Sequence, residues 1–219
     1  MDRRNRLAYP QALPVSITNL ETKMLRRLSL SAAILTAAAA PAFAHLDPLA
    51  HGSFMAGVSH PLFGLDHVLA MLAVGLWAAQ IAGRDQDSRK ALWAVPAAFV
   101  ATMALGFVAG VAGVSLPFVE PAILASVISL GLLVSMAVKL PVSASAAVVA
   151  VFALFHGFAH GEELGSAGAL QFGLGFVAAT ALLHGAGMAL GLAVSRFVPA
   201  LTRITGALTA LIGLSLVFG

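Results

Sequence analysis

His156 and His160 stand four residues apart in the segment Phe155-His156-Gly157-Phe158-Ala159-His160-Gly161-Glu162-Glu163. On a helix that spacing puts both imidazoles on one face, where they can share one metal ion. A second constellation, His60-Pro61-Leu62-Phe63-Gly64-Leu65-Asp66-His67, joins two histidines to a carboxylate. Asp66 can ligate directly or orient an imidazole from behind the metal. If a helix begins near Pro61, where proline is tolerated in the first turn, His60 and His67 lie two turns apart on nearly one face. Asp66 then sits about 7 to 8 Å from the helix end. The chain has no cysteine, so thiolate sites, disulfides and iron–sulfur clusters are excluded, and any metal must be held by imidazole, carboxylate, thioether or backbone. No Glu follows His156, so the zinc-protease pattern is missing.

Glu120 and His184 complete the candidate ligands. Met71 and Met188 each lie four residues beyond a histidine and could offer a thioether one turn further on, although methionine is ordinarily packing.

The elements that position these residues follow from composition. Of 219 residues, 60% are hydrophobic and 10% charged, against about 25% charged in soluble domains. A soluble globule and a disordered chain are both excluded. The sequence predicts an all-α, polytopic integral membrane protein with six transmembrane helices, at 61–82, 91–112, 117–138, 142–160, 169–195 and 200–218, after a cleavable signal peptide. Residues 24–44 carry the signal pattern: Arg26 and Arg27, an apolar run, then Ala42-Phe43-Ala44. Residues 1–23 read as an extension before a start at Met24, 45–60 as a periplasmic segment, and 61–219 as the membrane domain. Cleavage after Ala44 would leave His45, Asp47 and His51 on a terminal arm able to capture metal.

Six of the twelve basic residues precede residue 45, and the remainder balance seven acidic ones to a net charge of −1, so no basic face is left for nucleic acid. Five of those six basic residues fall in the connections that a periplasmic N-terminus places inside, with Arg203 one turn into the last helix. Both termini are then expected in the periplasm of a bacterial inner membrane. The small-residue pairs Gly106/Gly110, Gly157/Gly161 and Gly187/Gly191 read as sites of close helix packing, and self-association is left open.

Ionisable side chains in a bilayer are costly, yet His60, Asp66, His67, Glu120, His156, His160, Glu162 and Glu163 gather toward the outer half with no Lys or Arg among them. An external cation is the simplest partner. A divalent-cation permease, an integral-membrane zinc hydrolase acting on a lipid amide, and a proton relay all remain open on these residues. No G-x-x-x-x-G-K-[ST] loop is present, so P-loop ATP hydrolysis is excluded.

The segment from His60 to His67, continued by Val-Leu-Ala-Met-Leu-Ala-Val-Gly-Leu-Trp77, and the segment from Phe155 to Glu162 resemble the two motifs of the HupE/UreJ family of nickel/cobalt permeases. The likeness extends over the mature chain. It implies uptake of nickel or cobalt as transported substrate, without a prosthetic group. It also implies metal-handling roles for His60, Asp66, His67, His156, His160 and Glu162; His184 and Glu120 join them on membrane depth alone. Partial coordination with retained water is expected, since a full set of strong ligands would release nickel too slowly.

Overall fold

A computed structural model describes residues 53–82, 85–164, 168–195 and 198–218. The signal segment and His45, Asp47 and His51 lie outside them. The described residues form eight helices: α1 (Phe54–Phe63), α2 (Leu65–Ile81), α3 (Gln86–Arg89), α4 (Ala91–Val111), α5 (Val119–Ser135), α6 (Val142–Leu164), α7 (Ala169–Ser195) and α8 (Pro199–Phe218). The chain is an all-helical, multi-pass membrane protein. Four helical stretches are long and apolar enough to cross a bilayer, ending at Val111, Leu164, Val194 and Phe218. The bent pair α1 and α2 counts as a fifth. The expected span at 117–138 is the 17-residue helix α5, roughly 25 Å long and near the lower limit for a crossing.

The first expected span needs correction. Helix begins at Phe54, capped by the Ser53 hydroxyl accepting from the Ala56 amide, and Pro61 lies inside α1 rather than in its first turn. The chain breaks at Gly64 and resumes as α2, with the two axes bent by 84°. Pro61 supplies no N–H for the carbonyl one turn back. The Gly64 amide closes α1 on the His60 carbonyl at 3.3 Å, and Gly64 then adopts an extended conformation. The fourth span also runs further than expected, to Leu164, which places Glu162 and Glu163 on α6 itself.

In a bilayer, apolar helices gain little by burying apolar faces against each other, so close backbone contact between small residues must hold them together. Three such contacts organise the bundle. On α4 and α6, Gly106 and Gly110 face Gly157 and Gly161: a Cβ at Gly157 would overlap the Met103 carbonyl, and one at Gly106 the Leu154 carbonyl. Gly57, Gly75, Gly175 and Gly187 do the same where α1 and α2 meet α7. Gly131 and Gly206 serve α5 and α8. Gly191 meets the Ala79 side chain, so all three expected small-residue pairs lie at helix contacts.

Among the described residues, the basic side chains lie at one end of the bundle and His60, His67, His156 and His160 toward the other. At the basic end α5 closes with Ala137 in the left-handed region, φ 51°, while the Val138 amide bonds the Leu133 carbonyl. The buried Trp77 indole donates to the Val138 carbonyl at 2.8 Å and pins that turn. Arg203 donates to the Ser135 carbonyl at 2.8 Å, and Lys90 pairs with Asp87 at 2.8 Å. Asp85 caps α3; hydrogen bonds from the Ser88 hydroxyl and then the Ser88 amide hold its carboxyl below the ordinary carboxylate range.

Candidate metal centre

α1 brings His60 to the site, α2 brings Asp66 and His67, and α6 brings His156, His160 and Glu163. Four imidazoles converge. Ring centroids lie 4.4 Å apart for His60 and His160, 4.5 Å for His67 and His160, and 5.0 Å for His67 and His156. On an unbroken helix His60 and His67 would be separated by roughly 10 Å along the axis. Instead they stand on two helices, and the bend at Gly64 closes their ring centroids to 6.3 Å. The shared helix face expected from their spacing is therefore replaced by a corner. Asp66 is the second residue of α2, at that corner rather than well along a span. Gly64 leaves the room this needs: a Cβ there would stand 2.8 Å from His67 Nδ1 and 3.1 Å from Asp66 Oδ1.

The hydrogen bonds assign the free lone pairs. His67 Nδ1 donates to Asp66 Oδ1 at 2.9 Å, which leaves His67 Nε2 as the available nitrogen. It faces His160 Nε2 at 2.5 Å, so with both rings neutral the hydrogen between them belongs to His160. His160 Nδ1 is then a bare acceptor, 3.5 Å from Glu163 Oε2. Two acceptors facing each other with no hydrogen between them could hold a cation. One ligand atom each from His60, His160 and Glu163 falls within a mutual 4.8 Å.

His156 is oriented in the same way from the other side. The Ser126 hydroxyl on α5 donates to the Ile123 carbonyl at 2.6 Å, so its oxygen accepts from His156 Nε2 at 2.9 Å. His156 Nδ1, buried and without a hydrogen-bond partner among the described residues, carries the lone pair. Outer partners of metal-binding imidazoles typically change affinity about 10- to 100-fold when removed. Ser126→Ala is accordingly expected to weaken binding of a divalent transition-metal ion by about that factor, with Ser126→Thr retaining most of it. Equilibrium dialysis of the purified protein against a radioactive divalent metal ion measures both, and equal affinities for Ala and wild type would show that His156 needs no such support.

Glu120 and Glu162 are exposed and line, with Asp66, His67, His160 and Glu163, a cleft of about 280 Å³. They stand at the mouth of the cluster. Glu163 is the acid beside His160; its i,i+3 spacing was visible in the sequence, whereas Ser126 had no such signal. His184 is not in the cluster: its ring packs edge-on against Phe99 with centroids 4.9 Å apart. Met71 is fully buried and Met188 packs against the core, as ordinary apolar side chains do.

A family model described as HupE / UreJ protein matches residues 33–216. The Protein HupE of Rhizobium leguminosarum bv. viciae is 46% identical over 190 residues, covering 84% of this chain and 95% of that one. No solved structure matches the chain.

Proposed function

The chain belongs to the HupE/UreJ family, and from that premise we propose that it is a secondary permease taking up nickel or cobalt ions across the bacterial cytoplasmic membrane. The observation that carries this reading is the convergence of four histidines with Asp66 and Glu163 at one end of a membrane bundle. Among the described residues that end has no Lys or Arg; Arg89, Lys90, Lys139 and Arg203 all belong to the other. The excess of basic residues favours the cytoplasmic side for theirs, so the histidine cleft faces outward and both termini of the membrane domain lie in the periplasm.

Imidazole and carboxylate donors suit nickel, cobalt, zinc and copper, so selection among them comes from geometry. Glu120 and Glu162 at the mouth raise the local concentration of cations. His60, His160 and Glu163 receive the ion first, and His67, with its Nε2 made available by Asp66, draws it inward toward His156 Nδ1. A divalent ion moving down a membrane potential of 100 mV gains about 4.6 kcal/mol, which suffices for uptake without nucleotide hydrolysis.

The test is radioactive nickel uptake by cells producing wild type, Asp66→Asn or His156→Ala at equal membrane abundance. Uptake should fall to background in both variants, with cobalt competing in wild type. Undiminished uptake in both, or none in wild type, would overturn the permease reading and direct the search to a zinc-dependent hydrolase.

A further inference from the structure

His184 has no role in the cluster, yet it is the most conspicuous polar group in the middle of the membrane. It lies fifteen residues beyond the start of α7, roughly 22 Å along that helix, and is 1% exposed. Neither Nδ1 nor Nε2 has a hydrogen-bond partner among the described residues. A neutral imidazole carries one N–H and one lone pair, so both a donor and an acceptor go without a protein partner among the described residues. An ionisable residue buried in a membrane bundle in this way marks a candidate functional site.

Its surroundings say what. Phe99 and Met103 stand one turn apart on α4, and Thr180 and His184 one turn apart on α7, with the two pairs in register. The Thr180 hydroxyl donates to the Met103 sulfur at 3.5 Å, while the Phe99 ring packs against His184. The same Phe99 ring also lies beside His156, with centroids 5.9 Å apart. Thus one aromatic ring is shared by two buried histidines, each with an unused nitrogen. Neither α4 nor α7 contains an Asp or Glu.

We propose that His184 is a second, inner binding station for the transported dication, loaded from His156 when the Phe99 ring swings aside. The proposal rests on the permease reading above. The inner station takes a borderline transition-metal ion through an imidazole nitrogen, with the Met103 thioether and Thr180 hydroxyl as the neighbouring donors. Without a carboxylate it binds more weakly than the outer cluster, so the ion is passed on rather than kept.

The experiment compares wild type, His184→Leu and His184→Met, purified and reconstituted into liposomes, by equilibrium binding of nickel and by nickel entry under an imposed potential. At saturation His184→Leu should hold one ion fewer than wild type, keep the tighter affinity within about threefold, and show at least a tenfold lower flux. His184→Met, which restores a soft ligand of similar size, should recover a substantial part of that flux. If the leucine variant does not accumulate, His184→Gln is read in the same way. Wild-type flux in His184→Leu, an unchanged ion count, or equal loss in the Leu and Met variants would each overturn the inner station and leave the permease standing. Absence of nickel movement in wild type would remove both.

Discussion

Replacing His160 with alanine should weaken nickel binding by at least about 100-fold, the upper range for losing even an indirect partner of a metal ligand. No other side chain touches as much of the site. His160 faces His67 through Nε2, lies 3.5 Å from Glu163 through Nδ1, and packs its ring against His60 and Phe176. Removing it takes away one nitrogen and also leaves the His67 lone pair and the Glu163 carboxylate without a common partner. The loss should therefore exceed that of Glu163→Gln, which removes one exposed donor. Calorimetric titration of the purified variants with nickel would establish the order, while a His160→Ala affinity within a few-fold of wild type would mean that the ion is held elsewhere.

The second large effect belongs to packing. Gly157→Ala introduces a methyl group on top of the Met103 carbonyl, a backbone atom that cannot rotate away, so α4 and α6 must separate along their whole contact. Overpacking ordinarily costs about 1 to 3 kcal/mol, and backbone against backbone belongs at the top of that range. Gly185 is the control: nothing lies within 4 Å of a Cβ placed there. Gly157→Ala should accumulate poorly in membranes and lower the melting temperature in detergent, with Gly185→Ala indistinguishable from wild type. Equal melting of the two would show that the α4–α6 contact has slack.

Hydropathy made most of this architecture legible. The segments expected at 91–112, 169–195 and 200–218 correspond to helices at Ala91–Val111, Ala169–Ser195 and Pro199–Phe218, because a long apolar run with polar breaks has few alternatives in a bilayer. The corner at Gly64 was not legible. Pro61 can open a helix or weaken one, and here the helix had already begun at Phe54, whose neighbours Gly57 and Gly175 let α1 lie against α7. That tertiary contact is invisible in the local pattern. The two histidine motifs were visible from spacing, and their meeting was not, since it depends on a bend and on the packing of α2 against α6. Ser126 escaped for a related reason: a serine on an apolar helix has no signature until the ring opposite it is known. Glu163 was discernible as a neighbour of His160, but the spacing alone did not separate it from Glu162.

The interlocked glycines have a mechanical consequence. Each close contact fuses its helices into a stiff plate: α4 with α6, α1 and α2 with α7, and α5 with α8. The side chains of the candidate site and its buried neighbours are divided among these plates. His60, His67 and His184 ride on one, His156, His160, Glu163 and Phe99 on the second, and Ser126 and Glu120 on the third. A slip of one plate past another by an ångström or two changes which donors can reach a common point, without disturbing any of the backbone contacts inside a plate. The seam where the three meet is thus both the weakest joint in the bundle and the line along which an ion's surroundings can be exchanged.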